Sequence, residues 1–438
     1  MSRFIFATVP LTGHTAPALP IARALVSRGH SVRWYTGRAF ADRVVETGAV
    51  FVPMSEYDYS VDGLDAMFPE RLERKGIGRL RYDLANVFPA TLRGQLRDLQ
   101  ALLADEPADV LVGDVGMLGG PILQELGGPM FAAFGISVVA YPDPSLAPFG
   151  LGLRPTSSRV GRARNRVLTV ALRALLFKPL IDAVNQIRQE NGLPVDNDMG
   201  LAYPAHTELF LQLGTPGFEY PREVPEFVHY VGPTSPTPSV DWRPPAWWPE
   251  LMAADRPVVL VTQGTLAVDS GELLRPTLDA LADQDVFVVA VTGGPDPGEL
   301  GLLPANARVE RFLPFDRLLR YVDVYVTNGG FGGVQLALRH GIPIVTAGKT
   351  EDKAEVSARV AHTGVGIDLR TQHPKASRIR AAVRQLLDEP GYANAARRVQ
   401  AEINASGREG LAAELLEQLA LRPSRGVFSS TTSTASST

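Results

Sequence analysis

Residues 326–353 read VTNGGFGGVQLALRHGIPIVTAGKTEDK. A short β-branched run, Tyr325, Val326 and Thr327, breaks into glycines at 329, 330, 332 and 333. A helix-like run to His340 follows, and Gly341 stands where a helix C-cap belongs. Strand, glycine turn and helix make a phosphate-binding arrangement, because bare backbone N–H groups and the positive end of the helix dipole face an anion. No Gly-Lys-Ser/Thr follows, so this is not a Walker loop, and the spacing does not fit the first βα turn of a dinucleotide domain.

Outward from this stretch, apolar strands alternate with amphipathic helices, which implies parallel sheets. In the first half, strands are expected at 3–9, 31–35, 50–53, 109–112, 130–134 and, last, 209–213. Helices are expected at 15–28, 39–46, 91–104 and 168–191. A polar and aromatic excursion over 55–88 interrupts this rhythm and reads as a long functional loop. Residues 231–250 hold six prolines and three tryptophans. Proline bars regular structure there, so the segment reads as a linker, with Trp242, Trp247 and Trp248 packing on the lobes. The alternation restarts at 257–263 and continues through 286–291, 308–311, 322–327, 342–346 and 366–369. The expected organisation is a first lobe over 1–232, a linker over 233–255, a second lobe over 256–421 whose last helix can cross back, and a tail at 422–438 with too little to bury.

Composition agrees. A chain of 438 residues suggests two domains, and 45% hydrophobic content suffices for buried parallel sheets. A net charge of −4 gives no general attraction to nucleic acid or anionic membranes. With no cysteine, neither a disulfide framework nor a thiolate metal site can form. No apolar run reaches the ~18 residues of a membrane span. The first residues, MSRFIFATVPLTGH, read as a strand entering a loop rather than as a signal peptide. The expectation is a cytoplasmic protein, a monomer or homodimer, with no nucleic-acid partner and no membrane span.

The stretch 326–353 resembles the donor-binding motif of GT-B glycosyltransferases of family 1, including the macrolide-type enzymes of natural-product pathways. The family pattern runs T-H-G-G-x-G-S-x-x-E-A-L, then G-x-P, then D/E-Q. Thr327, Gly329, Gly330, Gly332, Ala337, Leu338, Gly341, Pro343 and Asp352 match it. Four positions depart: Asn328 replaces His, Gly333 replaces Ser, Leu336 replaces the Glu that holds the ribose, and Lys353 replaces the Gln that often reads the sugar. The resemblance implies an α/β GT-B fold, two doubly wound Rossmann-like lobes facing a cleft. It also implies an enzyme moving a sugar from a nucleotide diphosphate to a small acceptor.

The first lobe offers a candidate catalytic pair. His14 lies in the loop after the first strand, and Asp114 lies at the carboxyl edge of the fourth. In a doubly wound sheet of order 3-2-1-4 these edges are neighbours at the topological switch point, where such sheets bind ligands. An imidazole can take the proton of an attacking hydroxyl, and a carboxylate behind it fixes the tautomer and stabilises the imidazolium. Taken singly, the two residues read equally well as a loop packing group and a turn former. The resemblance implies a His–Asp dyad at these positions.

It also implies donor contacts from Thr12, Gly13, Gly264 and Thr265, base stacking by Phe312 with Leu313 beside it, and a diphosphate cradle of Asn328, Gly329, Gly330, Gly332 and Gly333. Asp352 and Lys353 would meet the sugar hydroxyls. Core packing is the other reading of Phe312. Leu336 removes the usual ribose acceptor, so UDP-glucose is the favoured donor and a dTDP-sugar its rival. The one Asp-x-Asp, at 283–285, precedes a strand and so lies at the amino edge, away from the ligand side. The glycine turn and helix dipole can stabilise the leaving diphosphate instead. Inverting, metal-independent transfer without a cofactor is expected, the nucleotide sugar being a co-substrate. Met67, Phe68, Phe88 and Phe149 suggest an apolar acceptor such as a polyketide, antibiotic or phenolic, with packing as the other reading. Arg154, Arg159, Arg162, Arg164 and Arg166 read as a solvated helix start, or as a dock for an anionic membrane or acidic acceptor. Other functions compatible with the architecture are a sugar-nucleotide 2-epimerase, a lipid-linked sugar transferase and a non-catalytic sugar-nucleotide binding protein.

Overall fold

The computed structural model describes residues 1–198, 206–234, 242–264 and 269–422. The first lobe contains β1 (Arg3–Ala7), β2 (Ser31–Thr36), β3 (Val50–Pro53), β4 (Val110–Asp114), β5 (Met130–Gly135), β6 (Leu209–Gln212) and β7 (Val228–Tyr230). They form one parallel sheet in the order β3-β2-β1-β4-β5-β6-β7. The second lobe contains β8 (Val258–Thr262), β9 (Phe287–Val291), β10 (Ala307–Glu310), β11 (Val324–Thr327), β12 (Ile344–Thr346) and β13 (Gly366–Asp368), parallel in the order β10-β9-β8-β11-β12-β13.

Central strands are buried on both faces, which is why they read as continuous apolar runs rather than alternating ones. Phe4, Phe6, Val110 and Val112 face one helical layer of the first sheet, while Ile5, Ala7 and Leu111 face the other. The second sheet divides likewise, with Leu260, Val289 and Tyr325 on one side and Val259, Val261 and Val288 on the other. The helix Arg408–Ala420 places Ala412, Ala413, Leu416 and Leu419 in the core of the first lobe beside Leu25. Trp242, Trp247 and Trp248 pack on the second-lobe core, with Trp242 and Trp248 edge-on at 4.9 Å. Among the described residues, no helix is long and apolar enough to cross a membrane.

Three details differ from the sequence reading. The stretch 55–88 is not a plain loop. It holds the helices Leu64–Met67 and Gly76–Tyr82, and a π-helical turn, Asp83–Val87, leads into the helix Phe88–Asp105. Leu84 joins the first-lobe core and Val87 is buried, and this packing holds the turn where the local sequence signals little. The helical run expected at 168–191 begins earlier, as Arg159–Leu172, and reaches Lys178–Glu190 through a second π-helical turn. The first sheet also ends not on β6 but on the three-residue β7.

The topology sets two switch points. Ala7 of β1 pairs with Gly113 of β4, and Thr262 of β8 pairs with Thr327 of β11. The segments leaving the carboxyl edges of the two sheets meet each other, since Ser137 Oγ, after β5, donates to Asp352 Oδ2, after β12, at 2.6 Å.

Candidate active site

At the first switch point, the loop after β1 turns into the single helical turn Thr12–Thr15 and brings His14 over the end of β4. His14 Nδ1 lies 2.8 Å from Asp114 Oδ1. Asp114 is fully buried, at 0% exposure, while 24% of the His14 side chain remains open. Two backbone groups hold the carboxylate: Val9 N donates to Oδ2 at 2.7 Å and Gly116 N to Oδ1 at 2.6 Å. Both carboxylate oxygens already accept from backbone N–H groups, so the contact with the ring is made by an Nδ1–H donor, and Nε2 is left as the acceptor nitrogen of the ring.

Beneath this loop sits a hydroxyl cluster that the sequence did not announce. Thr8 Oγ1 lies 3.1 Å from both Thr15 Oγ1 and Thr36 Oγ1, and Trp34 Nε1 donates to Thr8 Oγ1 at 3.0 Å. These bonds fasten the His14 turn to the ends of β1 and β2. Tyr59 is buried nearby, and burial together with the Asp114 charge pushes its phenol well above the usual range. Thr12 and Gly13 are exposed on the same turn.

At the second switch point, Asn328 does the joining. Its Nδ2 donates to the Gln263 carbonyl, and its Oδ1 accepts from Gly330 N at 3.3 Å. Asn328 thus shapes the glycine turn and ties the loop after β11 to the loop after β8. Gly329 takes φ +88°, and a Cβ there would lie 2.7 Å from Ser357 Oγ, so only glycine fits. Gly264 likewise takes φ +78°, and Thr265 lies outside the described residues. The helix Phe331–Arg339 starts at Gly330 with no acidic residue in its first turn, leaving its positive end uncompensated.

Two departures from the family pattern acquire reasons. A Cβ at Gly333 would stand 2.8 Å from the hydroxyl of the buried Tyr325, which fills the space a serine would need. Leu336 packs against the second-lobe core and supplies no hydrogen-bond acceptor. Phe312 is 61% exposed while Leu313 is buried in the core, so core packing does not account for the Phe312 ring.

Asp352 stands at the N-cap position of the helix Lys353–His362, its side chain turned to Ser137 rather than to the helix N–H groups. Burial pushes its carboxyl upward, and the Ser137 hydrogen bond and Lys353 oppose that shift. Lys353 is itself buried, with Nζ directed to Glu351 Oε2 and to Thr350 Oγ1 at 3.3 Å. Met67 and Phe149 are exposed, and Phe68 stacks on Tyr57 at 6.0 Å. Phe88 packs against the first-lobe core. The arginines from Arg154 to Arg166 are exposed. Asp283 pairs with Arg380 at 2.9 Å, ahead of β9 at the amino edge. Among the described residues, no group of three His, Cys, Asp or Glu side chains could hold a metal ion.

Comparison with known proteins bears on the family of the chain. Residues 275–419 match the model of the erythromycin biosynthesis protein CIII-like C-terminal domain. The chain is 43% identical over 422 residues to the 4'-demethylrebeccamycin synthase of Lentzea aerocolonigenes, covering 95% of this chain and 99% of that protein. It is 34% identical over 425 residues to UDP-glucosyltransferase A1 of Starmerella bombicola, covering 94% and 91% of the two chains. The solved glycotransferase of kitacinnamycin superposes with a TM-score of 0.75 at 25% identity, covering 95% of this chain and 99% of that one. The chain belongs to the family-1 natural-product glycosyltransferases of the GT-B fold, enzymes that transfer sugars to natural-product acceptors.

Proposed function

We propose that this enzyme transfers a sugar, with inversion, from a nucleotide diphosphate to a hydroxyl of an apolar natural product, with His14 as general base and Asp114 as the group that orients it. The observation that carries this reading is the 2.8 Å His14–Asp114 contact at the switch point. The acceptor hydroxyl gives its proton to His14 Nε2 as its oxygen attacks the anomeric carbon from the face opposite the diphosphate. The new C–O bond forms while the anomeric C–O bond to phosphate breaks. The proton stays on the imidazole, where Asp114 stabilises the cation. The departing diphosphate carries its charge to the backbone N–H groups at the start of Phe331–Arg339. That turn does the work a divalent ion would otherwise do, so we infer that no metal is needed.

UDP-glucose is the donor favoured here, as several relatives bear the name UDP-glucosyltransferase. Leu336 keeps a dTDP-sugar in play, because a deoxyribose lacks the 2′-hydroxyl that an acidic side chain there would hold. The test presents purified protein with UDP-glucose, UDP-GlcNAc and dTDP-glucose against an apolar acceptor panel, with and without EDTA. Fastest transfer from UDP-glucose, measurable transfer from dTDP-glucose and no effect of EDTA are expected. Activity abolished by EDTA and restored by Mn²⁺ contradicts the metal-free mechanism. A 2-epimer formed from UDP-GlcNAc alone contradicts the assignment to transfer.

A further inference from the structure

The segment 136–158, between β5 and the helix Arg159–Leu172, contains no helix or strand, yet it carries the exposed Phe149. First-lobe side chains hold parts of it, Gln212 at Ser137 and Arg222 at Tyr141, and the other lobe holds both of its ends. Ser137 is bonded to Asp352, as described above. At the far end of the segment, Gly150 N and Gly152 N both donate to Glu355 Oε1, at 3.0 and 2.8 Å. Glu355 lies in the first turn of Lys353–His362, one turn from Asp352 at the N-cap position. Gly152 adopts φ +58°, and a Cβ there would stand 2.5 Å from the Ala354 carbonyl oxygen, so the segment rests directly on that helix.

The other oxygen of Glu355 is held in turn. Arg359 donates from Nη1 to Glu355 Oε2 at 3.0 Å and from Nε to Glu219 Oε2 at 2.7 Å. Glu219 Oε1 accepts from Val139 N at 2.9 Å, and the Arg359 guanidinium lies 4.2 Å from the centre of the Tyr220 ring. Glu219, Glu355 and Arg359 are all buried. An apolar contact would join two lobes at lower desolvation cost, so a buried ionic cluster points to a demand for one particular arrangement.

We propose that Glu355 is a positioning residue for the acceptor: a donor-lobe carboxylate that clamps the Phe149 segment beside the donor-sugar corner, so that acceptor affinity depends on a side chain of the opposite lobe. This rests on the transfer reading above. The role requires a carboxylate, because one oxygen serves two amides while the other serves a guanidinium. A glutamine would turn an N–H donor toward one of those donor sets.

The experiment compares Glu355→Gln and Gly152→Ala with wild type, using UDP-glucose and an acceptor the wild-type enzyme accepts, and follows slow donor hydrolysis with acceptor omitted. Each variant is expected to raise the acceptor KM about tenfold, the scale of losing charge-assisted hydrogen bonds. The donor KM for hydrolysis should stay within about twofold of wild type, a scale on which no charge-assisted bond has been lost. Gly152→Ala alters no second-lobe side chain chemically, so agreement between the two variants assigns the effect to the seat of the segment. An unchanged acceptor KM in both overturns the proposal. So does a donor KM that rises in step with the acceptor KM, which would make Glu355 a support of the donor lobe alone. Absence of donor turnover in the wild type would instead overturn the transfer reading.

Discussion

Replacing His14 with alanine is expected to lower turnover by about 10²–10⁴, the scale of losing a general base, while the melting temperature and the donor KM stay close to wild type. The effect should be confined to chemistry because of how the pair is built. Asp114 does not depend on His14 for its fold role, since Val9 N and Gly116 N still satisfy the buried carboxylate after the imidazole is gone. The Thr8, Thr15 and Thr36 hydroxyls still fasten the loop to β1 and β2. What disappears is the proton acceptor facing the cleft. The measurement is kcat with an alcohol acceptor, alongside a thermal melt. Wild-type turnover in the variant would remove His14 from the mechanism, whatever its geometry.

Gly330→Ala is expected to weaken binding of UDP about tenfold or more while the protein folds normally. Gly330 sits at φ −61° and ψ 131°, a conformation open to any residue. An added Cβ would meet no protein atom closer than Asn328 Oδ1, at 3.7 Å. The protein itself therefore does not require glycine there. On the proposed reading the requirement comes from the ligand, because a methyl group would stand where an anion would approach bare N–H groups. Each charge-assisted bond lost costs about 1.5–3 kcal/mol, which corresponds to a factor of about ten or more. Calorimetric titration with UDP reads this directly. An unchanged affinity would make the glycine turn a structural feature of the lobe and move the diphosphate elsewhere.

Much of the fold was legible because buried parallel strands declare themselves by composition, and a doubly wound sheet leaves few topologies to choose among. That is also why His14 and Asp114, 100 positions apart, could be brought together before any coordinates: the strand order alone makes their edges adjacent. β7 escaped because three residues framed by Pro221, Pro225 and Pro233 give no strand period to read. The turn Asp83–Val87 escaped because Leu84 holds it through contacts in the core rather than through local propensity.

Within the site, the sequence offered candidate residues, and what it hid was which of them are engaged with one another. Lys353, expected to meet the sugar hydroxyls, also bonds Glu351 and Thr350. Asn328, expected in the diphosphate cradle, also builds the turn with its amide. The contacts joining Ser137 to Asp352 and Gly152 to Glu355 span 215 and 203 positions across two lobes, and no local pattern encodes such distances.

The central claim is that one protein both binds a nucleotide sugar at the glycine turn and delivers it, inverted, to a hydroxyl beside His14. It is tested most directly by incubating the enzyme with α-linked UDP-glucose and an apolar alcohol, isolating the product, and determining its anomeric configuration by NMR. A β-glucoside linked through the acceptor oxygen is the expected product. An α-glucoside would contradict the single displacement at His14, and UDP binding without any glycoside across a broad acceptor panel would contradict the transfer itself.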